Sequence, residues 1–231
     1  MSPSVKPTRQ RPDGGSRSVG VNRADILVII DTFRAATTAC HVLAGGPRDY
    51  FLVADSAAAA RLAATSAHPL LIGKPEIGAT LTYDLPNSPS RVAALDLAGR
   101  TVIHRTTAGA GGVLAADAAL DVLLAGFVNV GSTARILVGR PVRVLPMGHE
   151  GVTPTLEDDL TAACIKARLR DEPFDLAPHL DGLREGPGRY FFEEDQAQYP
   201  RADFDLCLAI DSFDFAIRTD RFGDYARLSR A

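Results

Sequence analysis

The chain has 231 residues, 46% of them hydrophobic, which suffices for one large globular domain with a sizeable core. The formal net charge is −3, and since residues 1–22 carry +3, the remainder carries −6. An acidic body without a lysine- and arginine-rich strip argues against a nucleic-acid-binding function. No run approaches the roughly 18 to 20 apolar residues of a membrane span. The lack of such a run predicts no membrane association. The three cysteines show no CxxC spacing, which predicts reduced thiols in a cytoplasmic protein.

The first part of the chain differs in composition from the rest. Residues 1–22 are rich in proline, glycine, serine and arginine, which predicts a disordered leader. The remainder, 23–231, is predicted to form a single domain.

After the leader, short apolar runs with β-branched residues alternate with alanine-rich stretches. The runs predict strands at 26–30, 50–54, 70–72, 101–104, 121–127 and 142–147. The alanine-rich stretches predict helices at 35–44, 56–66, 110–119, 129–138 and 156–170. Continuous apolar strands that alternate with helices are typical of sheets covered on both faces. The pattern therefore predicts an α/β fold, with three α/β/α layers around a largely parallel or mixed central sheet.

The alternation ends in the last third of the chain. Residues 171–200 contain four prolines and many charges, which predicts short helices and loops and makes the segment a candidate homodimer interface. Residues 203–219 predict a helix followed by a last strand.

Polar residues collect just past the predicted strands, where ligands bind in open α/β sheets. The set comprises Asp31, Arg34, Thr37, Asn87, Ser88, Arg105, Thr106, Thr107, Gly109, Asn129, His149, Glu150, Glu157 and Asp158. Glycine-containing turns and helix N-termini let backbone N–H groups approach an anion. Carboxylates in the same place suit Mg²⁺, which prefers oxygen ligands and commonly bridges to phosphate. The combination predicts a small anionic or phosphorylated ligand together with a divalent metal.

Each of these segments also has a purely structural explanation. Asp31 can cap the helix that follows it, and Asn87-Ser88 can cap a helix from Pro89. The glycine-rich stretch 106–112 can be a flexible turn, and Thr155 can cap the helix that follows it. The prediction of a site depends on the co-location of the segments rather than on any one of them.

Six segments in order resemble the 2-phosphosulfolactate phosphatases associated with coenzyme M biosynthesis. The matching segments are "DTFRAATT" (31–38), "YDLPNSP" (83–89), "RTTAGA" (105–110), "AGFVNV" (125–130), "GHEGVTPTLEDDLTAA" (148–163) and "DFDLCLAIDSFDF" (203–215). The resemblance implies an α/β/α fold and a Mg²⁺-dependent phosphatase that acts on a small sulfonated phosphoester. It also implies that the metal is held by some of Asp31, Glu150, Glu157 and Asp158, with Arg34 as a clamp for an anionic group.

Three departures from the family's pattern fall on the predicted ligand loops. Where the family has "TTTNGT", this chain has Arg105, Ala108 and Ala110 at the first, fourth and sixth positions. Where it has "GERGG", this chain has "GKPEI" (73–77), and "GTEG" has become "GHEG" with His149. These changes leave open a second hypothesis, a non-hydrolytic or divergent small-anion-binding protein on the same scaffold. A third is a different enzyme in which Arg105 and Lys74 accommodate a more anionic substrate.

Overall fold

A computed structural model describes residues 25–76 and 78–231, so the predicted leader lies outside the described residues. The described backbone forms one sheet of eight strands with helices packed against it. The strands are β1 (Ile26–Ile30), β2 (Asp49–Val53), β3 (Pro69–Ile72), β4 (Thr101–Arg105), β5 (Asp121–Ala125), β6 (Val142–Pro146), β7 (Ile217–Phe222) and β8 (Tyr225–Arg230). The helices are α1 (Thr37–Ala44), α2 (Ser56–Thr65), α3 (Pro89–Ala93), α4 (Ala108–Ala115), α5 (Val130–Leu137), α6 (Leu156–Leu169), α7 (Leu180–Glu185) and α8 (Arg201–Leu208).

The predicted α/β fold with three layers around a mixed sheet is confirmed. The first six predicted strands match β1 to β6 closely, and all five residues of β1 are buried, as a strand covered on both faces requires. Most element boundaries differ from the prediction by one or two residues, and two of the differences bear on the site. Strand β5 stops at Ala125 because Phe127–Asn129 turns into a 3-10 helix. Helix α4 begins at Ala108, so most of the glycine-rich stretch is helical rather than a flexible turn.

The sheet consists of two parallel groups that run in opposite directions. The strand order is β3-β4-β2-β8-β7-β5-β1-β6. Strands β5, β1 and β6 are mutually parallel, and so are β2, β4 and β3. The antiparallel strands β7 and β8 join the two groups. The carboxyl ends of β5, β1 and β6 therefore point in the opposite direction to those of β2, β4 and β3.

Helix α4 links the end of β4 to the end of β1, although the two strands belong to different groups. Helix α4, which follows β4, packs against β1, β2, β5, β7 and β8. Its first turn consequently lies beside the end of β1.

The hairpin of β7 and β8 is only partly predicted by the sequence, whose pattern indicates one last strand within 203–219. Its side chains alternate: Ile217 and Thr219 are buried, whereas Arg218 and Asp220 are exposed. A search for continuously apolar strands misses such a pattern, because here only one face of the sheet is covered. A two-residue turn joins the strands between Phe222 and Tyr225.

Three hydrophobic clusters hold the layers together. One lies between a single face of the sheet and helices α1, α3 and α4. On the other face, α5 and α6 cover β1 and β5, while α2 covers β2 and β4. No helix in the described part of the chain is long and apolar enough to cross a bilayer.

The hairpin is predicted to be essential to the stability of the sheet. Leu228 on β8 is 3% exposed and belongs to the cluster under α4. We expect Leu228→Ala to lower the free energy of unfolding by about 2–5 kcal/mol, because it removes buried methyl groups and leaves a cavity. Urea denaturation measures this change. The neighbouring Ser229→Ala, at a half-buried polar position, is the control and should change stability by no more than about 0.5 kcal/mol. Equal effects of the two substitutions would contradict the prediction.

Candidate active site

Most of the predicted site residues line one cavity of about 260 Å³. The predicted residues that line it are Asp31, Arg34, Asn87, Arg105, Thr106, Thr107, His149, Glu150, Glu157 and Asp158. Two larger cavities, of about 510 and 540 Å³, border β7 and β8 and contain none of the predicted residues. The cavity at the ends of β1, β4 and β6 is therefore the candidate active site.

Asp31 directly follows β1 and is held by two backbone N–H groups. Its Oδ2 accepts a hydrogen bond of 2.7 Å from the N–H of Gly109, and its Oδ1 accepts one of 3.3 Å from the N–H of Ala35. A Cβ atom on Gly109 would lie 2.7 Å from Asp31 Oδ2, so only glycine permits this approach. Burial and the neighbouring Asp158 carboxylate raise the pKa of Asp31 to about 7. Asp31 thus caps the helical turn that follows β1, as its structural explanation predicts, and it also lines the cavity.

Asp158, in the first turn of α6, is fixed in the same manner. Its two oxygens accept hydrogen bonds of 2.8 Å each from the backbone N–H groups of Thr32 and Gly148. The side chain is 2% exposed, and burial raises its pKa despite these two donors. Asp158 therefore joins the ends of β1 and β6 to the start of α6.

Glu157 is buried beside Asp158 without full hydrogen-bonding compensation. Burial, and next the Asp158 carboxylate, raise its pKa from the usual 4.5 to about 8. Its Oε2 is buried and has no hydrogen-bond partner at normal distance among the described residues, although the nearby Thr155 hydroxyl lowers the pKa of Glu157 in part. Asn87 Oδ1, also on the cavity wall, is unpartnered in the same sense. Buried polar atoms of this kind are rare in folded proteins, and in a cavity they mark positions where a ligand can bind.

The carboxylates fit a hard divalent cation in their chemistry. Within 25–76 and 78–231, no three His, Cys, Asp or Glu side chains already form a metal-binding group. Mg²⁺ does not require one, because it is usually bound by one or two carboxylates with waters and substrate phosphate oxygens completing the shell. The unpartnered Glu157 oxygen and the raised pKa of Asp31 indicate that burial makes ionisation of these carboxyl groups unfavourable, a cost that a bound cation would reduce. Glu150, the fourth predicted ligand, lies exposed at the cavity rim.

Arg34 contributes a largely buried guanidinium group to the wall of the cavity. Its Nη1 donates to Asp203 Oδ2 at 2.9 Å and to the carbonyl oxygen of Gln198 at 2.8 Å. The guanidinium carbon lies 4.8 Å from the ring centre of Tyr199 and 5.8 Å from that of Phe191. Its Nε and Nη2 make no hydrogen bond to a described residue. One side of the group is thus anchored, and the other remains available to an anion in the cavity.

Asp203, which holds Arg34, was not predicted as a site residue. It is fully buried on α8, and its Oδ1 accepts hydrogen bonds from the Ser88 hydroxyl at 3.0 Å and the Ser90 N–H at 2.9 Å. The sequence did contain a signal, since Asp203 shares the buried face of α8 with Phe204 and Cys207. A carboxylate on an apolar helix face is uncommon unless it is paired.

The aromatic wall of the cavity was also missed. Tyr190, Phe191, Gln198 and Tyr199 line it, and all four belong to the irregular segment 171–200. The dense aromatic residues around 190–192 were the available signal. A role of this segment in a homodimer remains a prediction.

Four predicted residues lie outside the cavity lining, and three of them form hydrogen bonds within the protein. Ser88 caps α3 and binds Asp203, while Gly109 donates its N–H to Asp31. Asn129 is fully buried, accepting from the N–H of Gly126 and donating to the carbonyl of Leu124. Thr37 is fully buried in α1. Direct substrate binding by these four remains a prediction without a cavity-facing group to support it.

The β4 end supplies a second group of polar residues. Thr106 accepts a hydrogen bond from the N–H of Ala110 at 2.9 Å, which leaves its own hydroxyl hydrogen free. Arg105 pairs with Glu76 at 2.6 Å and is 11% exposed, so its charge is compensated within the protein. Thr107 and His149 are exposed on the cavity wall.

The fold and this cavity define the class of protein: an α/β/α protein with a small cavity lined by buried carboxylates and an arginine. A family model described as 2-phosphosulpholactate phosphatase matches residues 16–182. The chain belongs to this family, as the six ordered segments predicted.

Individual relatives agree with the family match. A probable 2-phosphosulfolactate phosphatase from Bacillus subtilis is 26% identical over 210 residues, covering 90% of this chain and 92% of the relative. One from Thermus thermophilus is 32% identical over 164 residues, with 69% of this chain and 67% of the relative covered. One from Deinococcus radiodurans is 37% identical over 148 residues, with 62% and 60% covered.

The buried ion pair between Arg34 and Asp203 predicts a large effect of substitution. We expect Asp203→Asn to lower the free energy of unfolding by about 3–5 kcal/mol, because it leaves the Arg34 charge buried without its counter-charge. The control is Asp205→Asn, an exposed residue of the same helix, which should be nearly neutral. Urea denaturation of both variants tests this. A loss in Asp203→Asn no larger than in the control would refute the prediction.

The raised pKa of Glu157 predicts how stability depends on pH. Between pH 4.5 and about 8, unfolded Glu157 is ionised whereas folded Glu157 retains its proton. The folded state then binds more protons than the unfolded state, so the free energy of unfolding falls as pH rises through this window. We expect this fall in buffer containing a chelator, and a shallower one in Glu157→Gln. Urea denaturation at several pH values measures both slopes, and identical slopes would count against the prediction.

Proposed function

We propose that the protein is a Mg²⁺-dependent phosphatase that hydrolyses 2-phosphosulfolactate or a closely related phospho acid to the hydroxy acid and phosphate. The observation that carries the proposal is the convergence of three buried carboxylates and the Arg34 guanidinium on one small cavity. Membership of the 2-phosphosulpholactate phosphatase family supports the substrate class.

In this proposal Asp31 and Asp158 would hold the metal with Glu150 at the cavity rim, and Glu157 beside them has a separate role. Bound Mg²⁺ would neutralise the phosphoryl oxygens and the charge that develops on them. The chain contributes rigidity to this arrangement, because four backbone N–H groups fix the oxygens of Asp31 and Asp158. Side chains that are already oriented need little reorganisation during the reaction.

Arg34 binds the phosphoryl group through the N–H groups that Asp203 and Gln198 leave free. The aromatic rings of Tyr199 and Phe191 lie close to the guanidinium group and limit its contact with water. A hydrogen bond between charged groups is stronger in such a place than in bulk solvent. The hydroxyl hydrogen of Thr106 is a further donor to a phosphate oxygen.

Glu157 is the residue suited to carry a proton. At neutral pH its raised pKa keeps the carboxyl protonated in the metal-free site. When the phosphoester bond breaks, the departing alkoxide requires a proton, and a positioned carboxylic acid with a pKa near the working pH can supply it. We propose water rather than a carboxylate as the attacking nucleophile; the P–O bond to the water oxygen forms as the ester P–O bond breaks, and the proton that the water loses restores the Glu157 carboxylic acid.

The alternative, a non-hydrolytic anion-binding protein, was suggested by Ala108 and Ala110. Ala110 is fully buried in the core and does not line the cavity, so a hydroxyl missing there removes no cavity group. Of the two, only Ala108 lines it. Because the acidic wall is complete, the site favours the phosphatase.

The activity is tested by phosphate release from 2-phosphosulfolactate, phospholactate and phosphoglycolate, with Mg²⁺ or with a chelator. We expect metal-dependent release, and a loss of about 10²–10³-fold in Asp31→Asn and in Asp158→Asn, since each removes charge from the reacting centre. Asp159→Asn is the matched control, because Asp159 is the exposed neighbour of Asp158 and does not line the cavity. Circular dichroism confirms that the variants are folded. No release from any substrate by the unmodified protein would overturn the phosphatase, and release unaffected by chelator would overturn its metal dependence.

A further inference from the structure

Three lysine or arginine side chains line the candidate active site, and they differ in their partners. Arg34 is paired with Asp203, and Arg105 is paired with Glu76. The third, Lys74, is exposed on the cavity wall, and its ammonium group has no hydrogen-bond or carboxylate partner among the described residues. Its charge is thus the one in this lining set that is not already offset by a protein carboxylate.

The backbone that carries Lys74 is fixed by a network around Arg105. The Arg105 guanidinium donates to the carbonyl oxygen of Lys74 at 2.8 Å, to that of Ala54 at 3.3 Å, and to Glu76 Oε1 at 2.6 Å. Glu76 Oε2 in turn accepts the N–H of Ser56 at 2.9 Å, at the start of α2. These bonds join the loop after β3 to the ends of β2 and β4. The loop therefore presents Lys74 from a defined position.

Close packing next to Lys74 supports the same conclusion. A Cβ atom on Gly73 would lie 3.0 Å from the carbonyl oxygen of Arg105 and 3.0 Å from the ring of Tyr83. Gly73 also has a φ of +155°, which L side chains rarely adopt. Since the Tyr83 hydroxyl is 3.0 Å from that of Ser56, the loop is held on both sides.

The chemistry of this cation complements that of the acidic wall. Asp31, Asp158 and Arg34 are suited to a phosphoryl group bound with a metal. None of these three side chains is left to bind a second anionic group of the substrate. A lysine ammonium is a compact point charge without the planar geometry of arginine, so it can pair with a carboxylate or a sulfonate alike. A substrate that satisfies both parts of the cavity carries a phosphate and a second, small anionic group.

We propose that Lys74 is the specificity-determining residue of this site, where it binds the acid group of a phosphorylated hydroxy acid. The inference rests on the proposed phosphatase function and adds to it the residue that recognises the non-reacting end of the substrate. The pair formed by Arg105 and Glu76 positions the loop and is not itself the anion-binding cation.

Two substrates that differ in one charge test this directly: phosphoglycolate, which has a carboxylate, and 2-hydroxyethyl phosphate, which has none. We expect Lys74→Met to lower kcat/KM for phosphoglycolate by about 10-fold or more, mainly through KM, as the loss of one hydrogen bond between charged groups predicts. The same variant should change kcat/KM for 2-hydroxyethyl phosphate by no more than about twofold. The variant Lys74→Arg, which keeps the positive charge, should retain most of the kcat/KM of the unmodified protein for phosphoglycolate. Lys166→Met, an exposed lysine on α6 outside the cavity, is the control.

Equal losses for the two substrates, or no loss for either, would overturn the role of Lys74. If the unmodified protein hydrolyses neither substrate, the proposed function fails separately, and calorimetry then tests Lys74 by binding. Weaker binding of phosphoglycolate by Lys74→Met, with binding of inorganic phosphate unchanged, would support the recognition role. Unchanged binding of both would refute it.

Discussion

The structure depends on two carboxylates buried at the end of one strand. Asp31 and Asp158 lie close enough for the charge of Asp158 to raise the pKa of Asp31, an arrangement that is unfavourable for stability. Backbone N–H groups from Thr32, Ala35, Gly109 and Gly148 compensate part of that cost. These donors come from the segment after β1, from α4, and from the loop after β6. The hydrogen bonds that keep the acids in place therefore also join the elements surrounding the cavity.

The opposite wall follows the same physical rule with the charges reversed. Arg34 is buried because Asp203 is buried with it, and Asp203 in turn binds the start of α3 through Ser88 and Ser90. Breaking such a pair costs more than the pair contributes, since one charge would be left without its partner in a place that water does not reach. The cavity thus places an acidic group and a basic group close together while each is oriented by its own partners. Separately oriented charges of opposite sign are what a phosphoryl-transfer site requires.

Local sequence patterns predicted most of the strands and helices. They failed for strands whose side chains are buried on only one face of the sheet. Strands β1 to β6 were predicted because buried strands leave continuous apolar runs, and the residues after β1 and at the start of α6 stood out as polar groups beside them. Strand β8 was missed because its residues alternate between a covered and an open face. Ser88 and Asn129 were predicted as ligands, and both form hydrogen bonds within the protein, because the residue types that cap turns are also those that bind substrates. Their direct binding of a substrate remains a prediction.

The sequence alone determined the alternation of strands and helices, the family, and the identity of the candidate acids and arginine. Each of these depends on short segments of neighbouring residues, which a sequence shows directly. Tertiary structure decided which groups are paired and which are free. Asp31 meets Gly109 across 78 residues and Arg34 meets Asp203 across 169, and no local period encodes either contact. The order of the strands in the sheet and the packing of α4 and α8 bring these residues together. For the same reason, only the folded chain distinguishes Arg105, which is neutralised by Glu76, from Lys74, which is not.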